Sequence, residues 1–319
     1  MRATGLVSVS HIGKSLSIIP ERIPDVDYIL NTIDRNPCFV DDEEGYIKYL
    51  GNSEYPKLLT DNRQAILERL NTEFQNVKTD TNSSTENLKE LLYELIDSRK
   101  ESTIKKQIKD IKDYKLYDDI QNTYKLIEKN ELYDAPLMFE WNTWRAMTMI
   151  DGGNIKANLN FDDFGNPLST AQGNMTDILC DYGDYIVSVE VTLATGQKQY
   201  DMEGEPVSRH LGKIKKDSGK PCYCLFIAPA INEACIAHFY TLHNLNITYY
   251  GGKSTIIPLP LHLFQKMLED SYKAYYTPSP EQMRSFFDFS NELVKNCNNE
   301  FEWYEGIKKR ACDWLNIHQ

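Results

Sequence analysis

Two acidic residues, Asp177 and Glu190, lie on the two arms of a predicted β-hairpin with twelve residues between them. Glu203 and His210 follow a short distance later in the chain. Carboxylates on neighbouring strands can hold a divalent cation, and a histidine can move a proton near neutral pH. The pattern therefore predicts a divalent-metal site suited to phosphodiester hydrolysis.

A turn at residues 181–184 and the alternation of polar and apolar residues after it predict the hairpin. Pairing Cys180 with Tyr185 would make Asp177 the diagonal neighbour of Glu190 on one face of the sheet, about 7–8 Å away along the backbone. Two carboxylates that reach toward each other across that gap can share one Mg²⁺. The alternative, which the geometry alone favours, is a pair of solvated acids on an exposed sheet face.

A helix is predicted after the hairpin, from about residue 205 to 217, with Pro206 in its first turn and His210 about one turn in. Three basic residues recur at helical spacing on one side of this helix: Arg209, Lys213 and Lys216. Beside a carboxylate cluster they would bind phosphate groups. Taken alone, they would form a solvated basic face.

Length and composition limit the class of protein. The chain has 319 residues, of which 41% are hydrophobic and 11% aromatic, enough for a proper core and for two domains. A net charge of -12 argues against a protein that binds nucleic acid over its whole surface. Seven scattered cysteines, no signal peptide and no long apolar run predict a reduced, cytoplasmic protein without a membrane segment.

Three regions of the chain differ in their pattern. Residues 1–78 combine two short β segments, at 5–9 and 15–19, with helices, and resemble a small winged-helix piece. Residues 79–131 place apolar residues among charged ones at helical spacing, which predicts a charged helical linker. From 132 to 319, strands and helices alternate around the hairpin. The order predicts an α/β domain with a mixed central sheet, preceded by a mainly helical N-terminal extension.

Four stretches of the sequence carry a family likeness. They are Phe139-Glu140-Trp141-Asn142-Thr143-Trp144, then Gly173-Asn174 leading to Asp177, then Glu190-Val191-Thr192, and finally Met202-Glu203-Gly204-Glu205-Pro206-Val207-Ser208-Arg209-His210. Together they resemble the AlwI-type restriction endonucleases, a type IIS group that includes site-specific nicking endonucleases. The acid spacing is also similar to that of the wider PD-(D/E)XK nuclease fold. The resemblance covers about residues 132–275 and implies a restriction-endonuclease-like sheet flanked by helices.

The resemblance also implies roles for individual residues. Asp177 and Glu190 would ligate Mg²⁺, for which Mn²⁺ could substitute, and the Val191 carbonyl would be a further ligand. Glu140 would complete the acidic cluster.

Glu203 and His210 would, on the same resemblance, hold or activate the attacking water. The wider superfamily has a lysine two residues after the second acid, where this chain has Thr192. The AlwI-type pattern lacks that lysine as well. The general base therefore stays open, with His210 preferred over Lys198.

The function expected from these observations is Mg²⁺-dependent hydrolysis of double-stranded DNA by the connector and cleavage parts of a type IIS restriction or nicking endonuclease. Residues 1–131 contain no long basic region, so an upstream recognition region or a second subunit would be needed for sequence specificity. A transient dimer on DNA is a further possible partner arrangement, and the sequence leaves open whether one strand or both are cut. The alternatives are a nuclease of the same fold that recognises DNA structure, and a catalytically silent subunit that positions a partner.

Overall fold

The computed structural model describes residues 6–9, 16–18, 22–36, 39–52, 62–78, 80, 82–151, 154–162, 164–170, 175–274 and 276–315. The family-like residues 173–174 lie outside this set. Contacts between residues divide the chain into two units. Unit 1 comprises Met1–Ile104 and Asp162–Asn166, and unit 2 comprises Lys105–Phe161 and Pro167–Gln319.

Unit 1 contains a short antiparallel hairpin, β1 (Val7–Val9) with β2 (Leu16–Ile18), at the two β segments predicted from the sequence. Its helices follow in chain order: α1 (Ile23–Thr32), α2 (Glu43–Leu50), α3 (Arg63–Glu73) and α4 (Thr85–Lys112). Helix α4 continues past Ile104, where the first segment of unit 1 ends, so its last residues belong to unit 2. Apolar residues at helical spacing on α3 and α4 form a core in unit 1: Ile66, Leu70, Leu88, Leu92 and Ile96.

Unit 2 is built from strands and helices that alternate along the chain. The strands are β3 (Asn154–Ala157), β4 (Asn160–Phe161), β5 (Pro167–Ser169), β6 (Ile178–Asp181), β7 (Ile186–Val191), β8 (Cys222–Ala228) and β9 (Thr255–Pro260). The helices are α5 (Tyr117–Glu128), α6 (Ala135–Asp151), α7 (Gln197–Ser218), α8 (Glu233–Asn244), α9 (Leu261–Lys273), α10 (Pro280–Asn296) and α11 (Glu300–Ala311). Among the helices of the described residues, none is long and apolar enough to span a membrane.

A five-stranded sheet forms the centre of unit 2, in the order β3-β6-β7-β8-β9. Strands β3, β6 and β7 pair antiparallel, and β7, β8 and β9 pair parallel, so the mixed sheet predicted from the sequence is confirmed. Every residue of β8 is buried, which accounts for its uninterrupted apolar sequence. Phe226 of β8 packs against Phe239 of α8 on one face, and Tyr223 stacks on Phe287 of α10 on the other.

The hairpin register differs from the predicted one by two residues. Cys180 pairs with Val187 instead of Tyr185, because the four-residue turn lies one residue later in the chain than predicted, at residues 182–185. A two-residue shift leaves each side chain on its predicted face, because successive residues of a strand point to alternate faces. It changes which residues lie directly opposite each other across the pair.

Helix α7 also differs from its prediction, because it begins at Gln197 rather than near residue 205. Pro206 therefore lies inside the helix, and its assignment to the first turn was wrong. An internal proline cannot donate the hydrogen bond to the residue four positions earlier, so the surrounding contacts must hold the helix together. The earlier start places Glu203 and His210 on one continuous helix.

The loop before β9 holds the middle of α7 closely. A Cβ atom on Gly212 would lie 2.9 Å from the Cα of Tyr250 and 3.1 Å from its carbonyl carbon. Lys215 Nζ donates to the Lys253 carbonyl at 2.7 Å and to Ser254 Oγ at 2.8 Å. Only glycine at position 212 allows the backbone of the loop to approach this far.

We expect Gly212→Ala to destabilise the protein by about 1–3 kcal/mol, the usual cost of overpacking, although alanine itself favours a helix by about 1 kcal/mol. Gly204→Ala is the matched control in the same helix. The atoms nearest to its new Cβ would be ring atoms of the Tyr200 side chain, at 3.0 Å, rather than backbone atoms. Urea unfolding compares the two variants, and an equal gain in stability from both would contradict the close packing at Gly212.

Candidate active site

The two acids of the hairpin lie face to face. Ile178 pairs with Val189, so continuing the register by one residue places Asp177 opposite Glu190 rather than diagonal to it. Directly opposed residues on antiparallel strands have their Cβ atoms about 4.5–5.5 Å apart, which is closer than the diagonal distance. The corrected register therefore strengthens the predicted pairing of the two carboxylates.

Main-chain groups fix the position of Asp177 at the start of β6. Its Oδ2 accepts a hydrogen bond from the Val191 N–H at 2.8 Å. Its carbonyl accepts from the Asn158 N–H at 2.9 Å, and the Asn158 side chain donates to the Thr176 carbonyl at 2.6 Å. Asp177 is thus held from both neighbouring strands of the sheet.

Glu190 is buried on β7, with 5% of its surface exposed. Its Oε1 lies 3.0 Å from His210 Nδ1, which α7 brings over the sheet. Beside it, the Thr176 hydroxyl lies within hydrogen-bonding distance of the main-chain carbonyls of Val189 and Ile178, at 3.3 and 3.4 Å. The main-chain N–H next to Glu190 therefore bonds to Asp177, and the His210 imidazole bonds to Glu190.

Burial and charge both act against the ionised form of these acids. Burial raises the pKa of Asp177 well above its ordinary value, and the charge of Glu190 raises it further. Burial likewise raises the pKa of Glu190, and the charges of Glu203 and Glu140 add to that effect. The hydrogen bonds that both carboxylates accept oppose the shift without cancelling it.

The remaining predicted acids lie around this pair. Glu140 is buried on α6, and its charge acts on Glu190. Glu203 is half-buried on α7, and burial raises its pKa, while a hydrogen bond from the Thr192 side chain and the charge of His210 lower it. The structure therefore brings together all five residues predicted to be catalytic.

The donor chemistry of this cluster fits a hard divalent cation. Carboxylate oxygens close to a main-chain carbonyl are the ligands that Mg²⁺ prefers, with water in its other positions. A cation would also compensate the negative charge that raises the pKa of Asp177 and Glu190. Within the described residues, no group of three or more His, Cys, Asp or Glu side chains is already arranged to hold a metal ion. A cation here would draw on the two acids, main-chain oxygen and water.

The basic residues predicted to contact phosphate differ in their surroundings. Arg209 forms an ion pair with Glu205 at 3.1 Å. Lys216 Nζ donates to the Tyr249 carbonyl at 2.8 Å and lies over the ring of the same residue. Lys213 is exposed. Two of the three side chains are therefore engaged in contacts within the chain.

Two residues of the cluster have no role in the sequence-based account. Asn158 and Thr176 hold the main chain beside the acid pair, but neither belongs to a spacing pattern that would reveal it. Asn158 directly follows the short strand β3, which the sequence pattern does not predict. Recognising that strand would have placed Asn158 beside Asp177.

A family model of restriction endonucleases, described as AlwI restriction endonuclease, matches residues 1–267. The match covers most of the chain, including the N-terminal part, where the resemblance of the sequence motifs is looser. The chain belongs to the AlwI restriction endonuclease family. The family predicted from the motifs is therefore confirmed, and the α/β fold with a mixed sheet agrees with the expectation that followed from it.

This AlwI-family chain matches no curated protein. Among solved structures it is similar to the small subunit, R.BspD6I2, of the heterodimeric restriction endonuclease R.BspD6I. The two chains are 27% identical, and the match covers 63% of this chain and 96% of the other, with a TM-score of 0.49.

We expect Asp177→Asn to stabilise the metal-free protein near pH 7. A carboxyl group whose folded pKa is raised contributes stability that is lost as the pH rises through that value, so an ionised Asp177 opposes folding. Asparagine can still accept the hydrogen bond from Val191 and carries no charge. A gain of about 0.5–2 kcal/mol is typical of relieving such a site.

The exposed turn residue Asp184 provides the matched control for this variant. Thermal unfolding in the presence of a chelator should show a higher Tm for Asp177→Asn and no change for Asp184→Asn. A lower Tm for Asp177→Asn would mean that its ionised carboxylate is stabilising, contrary to the electrostatics of the site.

Proposed function

We propose that this chain is a Mg²⁺-dependent DNA endonuclease, the cleavage part of a type IIS restriction or nicking enzyme. The observation that carries the proposal is the close pair of Asp177 and Glu190, with His210 bonded to Glu190 at 3.0 Å. The coupling between the two acids supports a cation between them, because each charge raises the cost of the other. Membership of a restriction endonuclease family supports DNA as the substrate.

Asp177, Glu190 and the Val191 carbonyl would hold the cation, with Glu140 completing the acidic cluster. A bound divalent cation supplies positive charge beside the scissile phosphate and lowers the pKa of water in its coordination shell. The hydrogen bond from the Val191 N–H to Asp177 and the contact of His210 with Glu190 hold the two carboxylates in place. Preorganisation of this kind reduces the reorganisation needed during the reaction.

His210 is the residue best placed to accept a proton. With Glu190 ionised, His210 Nδ1 donates to Glu190 Oε1, which leaves Nε2 as the acceptor nitrogen. Burial lowers the pKa of His210, and the charge of Arg209 lowers it further, so the imidazole is neutral at pH 7. Glu203, on which the charge of His210 acts, would orient water beside it. Lys198, the second candidate for the base, lies exposed in the first turn of α7.

We expect Glu190→Gln to reduce cleavage of duplex DNA in Mg²⁺ by about 10³-fold, since loss of a metal ligand removes several kcal/mol of transition-state stabilisation. Glu305→Gln, an exposed acid on α11, is the control and should cleave at the wild-type rate. The assay uses a supercoiled plasmid, in which nicking reports cleavage of one strand and linearisation reports cleavage of both. A reaction with chelator is the blank. Undiminished cleavage by Glu190→Gln would contradict the proposal.

Sequence specificity would come from a recognition region or a partner subunit, because the basic residues of α7 offer few contacts with phosphate. Two of the three basic residues on α7 are engaged with Glu205 and Tyr249, which leaves the exposed Lys213 as the main candidate. Each phosphate contact contributes about 0.9 to the slope of log affinity against log salt concentration. The isolated chain should therefore show a shallow slope, of about 3 or less in magnitude.

Binding of the inactive Glu190→Gln protein to a DNA duplex in Ca²⁺ measures this slope. Lys213→Ala should weaken the binding and reduce the slope by about 1, whereas Lys309→Ala, an exposed lysine on α11, should change neither. A slope of about 6 or more in magnitude, or equal effects of the two lysine variants, would contradict the expectation that this chain alone binds DNA through few phosphate contacts.

A further inference from the structure

Gln199 is a fully buried polar residue in the first turn of α7, next to the exposed residues Gln197 and Lys198. Its Nε2 donates to the carbonyls of Ala194 and Ala230, both at 2.9 Å. Its Oε1 accepts from the Asn232 N–H at 2.7 Å. Both amide hydrogens and the amide oxygen are therefore used, as a buried polar group requires.

The three partners of Gln199 belong to two different connections of the sheet. Ala194 lies between β7 and α7, whereas Ala230 and Asn232 lie between β8 and α8. Asn232 also caps α8, because its Oδ1 accepts from the Ala234 N–H at 2.9 Å. Strands β7 and β8 are parallel neighbours, so both connections leave the sheet at the same edge, beyond Glu190. One side chain thus fastens both connections to the start of α7.

Gln199 lies on the same side of α7 as the two residues that face the acid pair. Glu203 and His210 follow it by four and eleven positions, which correspond to about 40° and 20° around a helix with 3.6 residues per turn. Because a helix is stiff, a shift or rotation of its first turn displaces the other residues on the same side of the helix. The place of Gln199 therefore sets the place of His210 relative to Glu190.

We propose that Gln199 is a positioning residue, which fixes the first turn of α7 to the ends of β7 and β8 and so keeps Glu203 and His210 in line with Glu190. The proposal rests on the proposed nuclease function, and it adds a residue that touches neither the cation nor the DNA. Loss of this fastening would displace the proton acceptor but leave Asp177 and Glu190 in place on the sheet. A displacement of about 1 Å far from the chemistry can reduce kcat by about 10²-fold.

The test compares Gln199→Met with Gln199→Asn and with Gln197→Met as the control. Methionine matches glutamine in length but makes none of the three hydrogen bonds, and asparagine keeps the amide one methylene short of its partners. Gln197 is exposed and bonds only within its own helix turn, to Asp201, in the described structure. Three quantities are measured: kcat and KM on a DNA duplex in Mg²⁺, Ca²⁺ affinity by calorimetry, and the imidazole ¹⁵N resonances of His210 in metal-free protein.

We expect both Gln199 variants to lose about 10²-fold in kcat, with KM and Ca²⁺ affinity unchanged and with shifted His210 resonances. Gln197→Met should match the wild type in all three. The proposal would be overturned if the Gln199 variants kept the wild-type kcat and the wild-type His210 resonances. It would also be overturned if they lost Ca²⁺ affinity in parallel with kcat, because that would indicate general damage to the site. If Gln199→Met does not fold, Gln199→Asn decides by the same criteria. The His210 resonances can be measured whether or not the chain cleaves DNA. An inactive wild-type chain would refute the nuclease function, and the resonances would still test the role of Gln199.

Discussion

Two carboxylates, Asp177 and Glu190, are held together where burial raises the pKa of both. The charge of Glu190 adds to the shift of Asp177, and the charges of Glu203 and Glu140 add to that of Glu190. The main-chain N–H of Val191, beside Glu190, donates to Asp177 at 2.8 Å, and His210 Nδ1 lies 3.0 Å from Glu190 Oε1. Asn158 secures the Asp177 backbone from the opposite strand. In the metal-free protein, the charge of the two buried carboxylates opposes folding, and a bound divalent cation would compensate that charge. Strain of this kind persists where the surrounding structure fixes the residues and where function requires the charge.

Helix α7 carries the second half of the site and depends on different contacts. The loop before β9 packs against its middle at Gly212, and Gln199 fastens its first turn to the sheet. Between these two points lie Glu203 and His210, the residues that would handle water and the proton. Most of the basic character of the helix serves contacts within the chain, as with Lys215 and the carbonyl of Lys253. The sheet therefore fixes the acids, and α7 fixes the groups that act beside them.

The sequence predicted the parts of the site that local patterns control. Alternation along β7 placed Glu190 on the correct face, and that result survived a register error because a two-residue shift preserves the face. The start of α7 was missed because Pro206 is typical of a first helical turn, and here tertiary contacts maintain a helix around it. The contact between His210 and Glu190 depends on how α7 lies over the sheet, and no local pattern contains that information. The same applies to the carbonyl of Tyr249, which reaches Lys216 from a distant part of the chain.

The most direct test of the account is the position of a cation in the crystal. Diffraction from crystals soaked in Mn²⁺, collected near the manganese absorption edge, would locate the ion by its anomalous signal. We expect one peak within about 2.0–2.6 Å of a carboxylate oxygen of both Asp177 and Glu190, the range of bonds between hard cations and oxygen. At saturating Mn²⁺, no peak at this pair, with the bond between His210 and Glu190 unchanged, would contradict the central claim that the two acids form a metal site.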